Sequence, residues 1–520
     1  MKTIKLKQLV IAAALGTQFA LPAYAADGAA TGTNGTATVE IPAFAADGSG
    51  GNPAQEAEIK ALKQQIDALV QKVNSLEQQR GPAEQAATIS DLDQQVRILQ
   101  RQREIDQDAA AAKAATAPKI TLGANGFSFS SADSNFVTQI HGVIQVDSRT
   151  FFHDDNAKGV DGFLLRRARP ILSGTVYRDF DYMFVPDFGG STVQIFDAYL
   201  NYRYAPEFQV QVGKFKSPVG IEALQADANI QFNERSLATD LVPNRDLGLA
   251  LKGDLYGGAA SYTVGIFNGV SDYNGTTTNQ FSQNNKALVS RLIFQPWKNT
   301  DVNALRGFGF GVAGSYENDQ PATNATTSLT PGYTTDGQQK FFTYNKNVYA
   351  SGVHWRLSPQ SYYYYGPFGL LGEYVISDQR VSNDSTGGSK NVDVHNTAWE
   401  VAGSWLLTGE DASYNGITPR QNFDPRLNQW GAWQVVARFA ELNVDSDVFK
   451  GSSVNTSLAN PTVSADRAQS WALGLNWYLN KNIRADVSFS HTTFGGYTGP
   501  TTGVPAQSEN VLFTRVQLAF

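Results

Sequence analysis

The sequence predicts an all-β chain: a 16-stranded antiparallel transmembrane β-barrel preceded by an N-terminal α-helical coiled coil. Three observations carry this expectation. Segments of alternating apolar and polar residues recur from about residue 135 to the end, and a period of two belongs to β-strands. The last segment sets Leu512, Thr514, Val516, Leu518 and Phe520 against Phe513, Arg515, Gln517 and Ala519. An apolar face closing on a terminal aromatic suits a lipid-facing strand. Between 56 and 108 the period instead becomes that of a helical seam.

Composition narrows the class. Of 520 residues, 42% are hydrophobic, yet the mean hydropathy is -0.29. Apolar residues are therefore interleaved with polar ones. Beyond the first 25 residues no run approaches the ~18 apolar residues of a membrane helix, which excludes a helical membrane protein. The 47 glycines and 21 tyrosines suit tight turns and aromatic girdles. Cysteine is absent, which excludes a disulfide scaffold and cysteine-based metal sites.

Taken in order, Lys2, Lys5 and Lys7 precede an apolar run from Leu9 to Leu21 and then Ala23-Tyr24-Ala25. This reads as a secretory signal peptide over 1–25. Its removal takes three lysines away and moves the net charge from -7 to -10, which argues against nucleic acid as a partner. Residues 26–55, rich in Gly, Ala and Thr, read as a flexible leader. Residues 56–108 read as a periplasmic coiled coil. Ile59, Leu62, Ile66, Leu69, Val73 and Leu76 form one seam, and Ile89, Leu92, Val96 and Leu99 form a second. Arg80-Gly81-Pro82 interrupts them, since proline lacks an N–H and glycine costs backbone entropy. The stripe is only as wide as a and d positions, which favours self-association over packing on the chain's own barrel. Residues 109–134 read as a linker and 135–520 as the barrel.

Sixteen candidate strands fall between 136 and 520. In one, Phe180, Tyr182 and Phe184 oppose Asp179, Asp181 and Asp187; in another, Phe196, Ala198, Leu200 and Tyr202 oppose Asp197, Asn201 and Arg203. Alternation alone does not distinguish a soluble sheet from a membrane barrel. The signal peptide, the terminal Phe520 and the even strand count favour the barrel of a Gram-negative outer membrane, with lipid as a partner. Gaps after odd strands are mostly long and those after even strands mostly short, the outer-membrane pattern. Two gaps depart from it: the loop after the third strand is tiny, and 409–429 is long for a turn.

The segment 217–245 lacks strand alternation and is too long for a hairpin, so it is expected to fold into the lumen and narrow it. It carries Glu222, Asp227, Glu234, Arg235, Asp240 and Arg245. Alternation places Arg167, Arg169, Arg203, Lys252, Arg291, Arg356, Arg438, Arg484 and Arg515 on the lumen face, with Arg166 on the opposite face near a rim. A guanidinium is a permanent cation whose planar fork binds two oxygens at once. Two readings stay open: a ladder for small anions, or braces paired with lumen carboxylates such as Asp147, Asp197, Glu317 and Asp486. The five histidines show no metal-ligand spacing, and neither a nucleophile elbow nor a phosphate-binding glycine loop is present. The expectation is a non-enzyme with no cofactor.

Several stretches resemble the phosphate-selective porin family of porins O and P. They are Phe163-Leu-Leu-Arg-Arg-Ala-Arg, Tyr177-Arg-Asp-Phe-Asp-Tyr, Pro186-Asp-Phe-Gly, Asp197-Ala-Tyr-Leu, Gly213-Lys-Phe-Lys-Ser-Pro-Val-Gly, Asn233-Glu-Arg-Ser, Gly265-Ile-Phe-Asn-Gly, Leu407-Thr-Gly-Glu, Gly431-Ala-Trp and Leu475-Asn-Trp-Tyr. The resemblance covers roughly 120–520. It implies a trimeric barrel, a third long loop folded into the channel, and passive uptake of anions, with phosphate or polyphosphate as candidates. It also carries over Arg235 and Arg245 as constriction residues and Arg166, Arg167 and Arg169 as wall arginines. One departure stands out: 217–245 contains no lysine, and its two arginines face four acids. The trimer also conflicts with the local rule that Ile or Val at a with Leu at d prefers two strands. The alternatives are a general or sugar-type pore, or a structural tether from the outer membrane to the cell wall.

Overall fold

A computed structural model describes residues 64, 67, 68, 71, 72, 82–152, 159–190, 192–272, 285–319, 330–496 and 508–520. The chain divides into two units, Met1–Arg103 and Glu104–Phe520. The signal peptide, the leader and the seam from Ile59 to Leu76 lie outside the described residues. Helix α1 runs from Pro82 to Thr116. Proline suits a first helical position, where no N–H is needed. Val96 and Leu99 of the second seam are exposed.

The stretch read as a linker over 109–134 contains regular elements. Its alanines, the strongest helix formers, continue α1 to Thr116. A hairpin follows, β1 (Lys119–Gly123) and β2 (Gly126–Ser130). Gly126, at φ 81°, makes the turn possible.

Sixteen longer strands form one closed antiparallel barrel. They are β3 (Val137–Phe151), β4 (Gly162–Val176), β5 (Phe180–Asp187), β6 (Gln194–Ala205), β7 (Phe208–Lys216), β8 (Arg245–Leu255), β9 (Ala260–Phe267), β10 (Ala287–Phe294) and β11 (Phe308–Asp319). A small separate hairpin, β12 (Gly332–Thr334) and β13 (Lys340–Thr343), precedes the remaining seven. Those are β14 (Val348–Tyr365), β15 (Phe368–Asn383), β16 (Val392–Leu406), β17 (Ala432–Asn443), β18 (Arg467–Tyr478), β19 (Ile483–Gly495) and β20 (Glu509–Ala519). Each barrel strand pairs with its neighbours in sequence, and β20 closes on β3 from Val511↔Phe151 to Ala519↔Val143. Phe520 completes the seam, exchanging both backbone hydrogen bonds with Gly142 at 3.0 Å.

Alternation sorts the faces. Ile144, Val146, Leu200, Leu249 and Val516 are exposed, whereas Gln145, Asp147, Arg515 and Gln517 are buried. Apolar residues outside and charge inside match a barrel surrounded by hydrocarbon.

The lumen is largely occupied. The segment between β7 and β8 buries Val219, Ile221, Ile230, Phe232, Leu237 and Leu241. The hairpin β12–β13 buries Tyr333 and Phe342 on top of it, and Asp240 accepts from the Thr334 N–H at 2.8 Å. The long 409–429 gap is a real feature. Within it the Tyr414 hydroxyl donates to the Ile221 carbonyl at 2.7 Å, so this turn meets the loop from the opposite end of the barrel.

The closing seam tolerates no side chain at position 142. A Cβ there would lie 2.8 Å from the Phe520 ring. Gly142→Val is therefore expected to displace the terminal ring and lower the temperature at which the folded, fast-migrating form is lost in heat-modifiability gels.

Candidate functional site

The loop between β7 and β8 is built from its closure inward. The Ser217 N–H donates to the Asn244 carbonyl at 2.9 Å, pinning the two ends together. A one-turn helix α2 (Ile221–Leu224) and a 3-10 turn (Leu237–Leu241) lie between them. Ordering such a segment costs about 1–2 kcal/mol of backbone entropy per residue. Each large apolar side chain that it buries returns roughly 1.5–3 kcal/mol.

Buried carbonyls need donors, and the wall from β17 to β20 supplies them. Arg438 donates to Glu222 Oε1 and the Glu234 carbonyl, both at 3.0 Å. Its second arm donates to Asp336 at 3.0 Å, and its guanidinium lies 4.5 Å from the Phe232 ring centre. Arg484 reaches the Ile230 carbonyl at 3.0 Å. Arg515 reaches the Asn233 carbonyl at 2.7 Å while holding Asp147 at 2.7 Å. Asn476 and Gln517 donate to Gln231 and Ala228 at 2.9 and 3.0 Å. On this side the bracing reading holds.

The opposite side differs. A cavity of about 250 Å³ opens between the loop and the wall, lined by Arg166, Arg167, Arg169, Lys216, Arg235 and Arg245. Asp227 is the one carboxylate in its lining; Phe196, Thr239, Asn244 and Gln338 complete the polar and aromatic part. Asp227 sits at the hub. It contacts Arg169 at very short range, Arg235 at 2.7 Å, Arg167 at 3.5 Å and Arg245 at 3.9 Å. Burial pushes its carboxyl upward, but Arg169, Arg235, Arg167 and Lys216 outweigh that and hold it well below the usual range. Glu234, behind the lining, is likewise pushed up by burial and pulled down further by Arg166, Arg149 and Arg167. Counting Glu234, Asp187 and Asp197, which pair with Arg166, Arg169 and Arg245, six basic side chains still face four carboxylates.

Two β-bulges create this cluster. On β4 the register passes from Gln145↔Arg167 to Val146↔Leu165, leaving Arg166 as the extra residue. On β6 it passes from Val185↔Asp197 to Pro186↔Ile195, leaving Phe196 as the extra residue. A bulge re-aims the side chain that it inserts. Arg166 therefore faces inward beside Arg167, where its Nη2 donates to Glu234 at 2.9 Å; the expectation of a rim position on the opposite face is corrected. Phe196 is also turned from the expected outer face. Its ring lies 4.0 Å from the Arg169 guanidinium and 4.5 Å from that of Arg245, positions in which an aromatic face attracts cations.

The remaining sequence candidates lie elsewhere. Arg203 pairs with Asp181 at 2.8 Å and is half exposed near the short-turn end. Arg291 donates to Gln360 at 2.9 and 3.1 Å. Arg356 is enclosed by Asp272 at 2.5 Å and Glu317 at 2.9 Å. Glu317 and Asp319 also approach His354 closely enough to suggest a metal, and Glu317 is shared with the Arg356 guanidinium at 2.9 Å.

Sequence reasoning missed Lys216, Phe196 and Gln338. Lys216 stands one residue before the segment found to lack lysine, and its Nζ donates to the Gln225 carbonyl at 2.7 Å. The Asp336-Gly337 dipeptide between aromatic residues was a readable hairpin signal for β12–β13, the element that brings Gln338 to the cavity.

A closed barrel with a hydrocarbon-facing exterior and a charged, loop-narrowed interior defines a porin of the Gram-negative outer membrane. Residues 138–520 match the family described as phosphate-selective porin O and P, and the chain belongs to that family. It is 23% identical over 396 residues to porin O of Pseudomonas aeruginosa, covering 70% of this chain and 84% of that protein. Similar solved structures include the outer membrane channel DcaP of Acinetobacter baumannii (12% identity, TM-score 0.47), covering 74% of this chain and 98% of that one. Another is an anion-selective porin from Comamonas acidovorans (10% identity, TM-score 0.45), covering 74% and 100%.

Removing one partner from a buried charge network costs about 3–5 kcal/mol. Arg438→Ala, which takes the guanidinium partner from Glu222 and Asp336, is expected to destabilise the folded barrel by that order in urea titrations. It should also loosen the loop, read as larger and noisier single-channel currents.

Proposed function

We propose that the chain is an anion-preferring diffusion channel for small hydrophilic solutes, with phosphate-class oxyanions as its best-fitting cargo. One observation carries the reading: six basic side chains and a single carboxylate line one cavity beside the constriction loop. Such a group replaces part of an anion's hydration. Internal pairing to Asp227, Glu234, Asp187 and Asp197 keeps each cation's pull moderate, so an ion that enters also leaves. Arg166, Arg167, Arg169, Arg235 and Arg245 form this step. Arg203 and Arg291 extend a weaker basic lining beyond it, while Arg356 and Arg438 maintain the architecture. The division supports a channel without chemistry of its own. Aromatics lie mainly on the lipid face, which disfavours a sugar track.

The same proposal includes export on a cleaved 1–25 leader and assembly as a homotrimer. Residues 56–108 then form a periplasmic coiled-coil arm; exposed Val96 and Leu99 on α1 support a seam that needs a second copy. Attachment of that arm to the cell wall is a separate role.

Reversal potential across a KCl gradient in planar bilayers tests the reading. Anion selectivity is expected, with chloride current reduced by added phosphate; cation selectivity would overturn it. Asp227→Asn removes the hub carboxylate and should raise the anion-to-cation permeability ratio by roughly 2–5-fold, the effect of one screened charge. Arg166→Gln should lower that ratio by a similar factor.

A further inference from the structure

The hairpin β1–β2 is unused by the channel, yet it is firmly attached to the barrel. Strand β2 pairs with the first residues of β3, from Phe127↔Ile140 to Ser130↔Val137. That places it immediately beyond the Phe520–Gly142 closure, where β20 has run out. Its turn is fastened to the β18–β19 turn. Lys481 Nζ donates to Asn125 Oδ1 at 2.6 Å, and Asn482 Nδ2 donates to the Ala124 carbonyl at 2.7 Å. The hairpin thus underlies the end of β20 along the short-turn rim, the periplasmic one.

Its two faces differ in chemistry. Ile120 pairs with Phe129 and Leu122 with Phe127, so these four side chains share one face. Phe127 in turn lies opposite Ile140, whose side chain belongs to the exposed outer surface with Ile144 and Leu172. All four hairpin residues are exposed; Ile120 and Leu122 are 70% and 71% exposed, a large cost if they faced water. The other face carries Lys119, Thr121, Ser128 and Ser130. Close by on the rim, Phe136 and Tyr177 form an edge-to-face pair at 4.8 Å, the kind of aromatic pair that marks a membrane interface.

We propose that the β1–β2 hairpin is a membrane-surface anchor whose Ile120, Leu122, Phe127 and Phe129 insert into the acyl region of the inner leaflet of the outer membrane. The apolar face is continuous with the lipid-facing surface of β3 and needs no second surface to complete it. Seating it in lipid also shields β1, whose one partner among the described strands is β2, from edge-to-edge association in the periplasm. The anchor would fix the point from which α1 leaves the barrel. The inference stands apart from the anion reading.

The absence of cysteine allows a clean test. Full-length Leu122→Cys and Ser128→Cys proteins, each labelled with an environment-sensitive NBD probe, are reconstituted in phospholipid vesicles holding shallow spin-labelled lipid. Folding of both is verified by heat modifiability. The anchor predicts blue-shifted emission at 122 that is quenched several-fold more strongly than at 128. Equal quenching at the two positions, or none at 122, overturns it. Efficient disulfide formation between copies through unlabelled Leu122→Cys also overturns it, because the face would then be a contact between protomers.

Discussion

The structure depends on one constraint: a polar loop placed inside a membrane barrel must have every buried carbonyl and carboxylate answered by a donor. The segment between β7 and β8 enters the lumen with Glu222, Asp227 and Glu234 and a run of main-chain carbonyls. Arginine suits this task because it offers five donors in a fixed plane and never loses its charge. Arg438, Arg484 and Arg515 each bond a loop carbonyl, and each also holds a carboxylate. The wall from β17 to β20 is therefore a clamp. Among the described residues Glu400, which faces Glu373 across the β15–β16 pairing, has no hydrogen-bond partner on either oxygen.

The clamp separates two uses of one residue type. Arginines on the far wall are consumed in holding the loop. Those on β4 and β8, with Arg235 from the loop itself and Lys216, gather around Asp227 and Glu234 and outnumber the carboxylates that pair with them. Positive charge at the narrowing thus arises from asymmetry between the two walls and not from net charge, which is -7 for the whole chain. Ion preference follows the local field at the constriction, so an acidic protein and an anion-attracting pore are compatible.

Much of the fold was legible because a membrane barrel enforces alternation more strictly than a soluble sheet. Each of the sixteen strands was readable from period two. The site was legible only in part. Arg167 and Arg169 followed from alternation, but Arg166 and Phe196 did not, because bulges insert one residue and reverse the parity. In β4 a trace of this was present: Phe163 and Leu165 share parity with Arg167 and Arg169, so apolar outer and basic inner residues change places within one strand. On β6 the same exchange was present: Val193 and Ile195 share parity with Asp197, Asn201 and Arg203. The gathering of Lys216, Asp227 and Arg235 was beyond sequence because it is set by how the loop folds back on itself. The linker reading left its contents open: alanine favours helix, and α1 runs on to Thr116 before the β1–β2 hairpin.

The most direct test of the account is to locate a heavy oxyanion inside the folded channel. Crystals of the full chain soaked in selenate, measured at the selenium edge, should show an anomalous peak in the cavity between Arg166, Arg167, Arg169 and Arg235. A peak confined to the far wall near Arg438 and Arg484, or no lumenal peak at saturating selenate, would contradict the claim that the unbalanced charge lies beside the constriction.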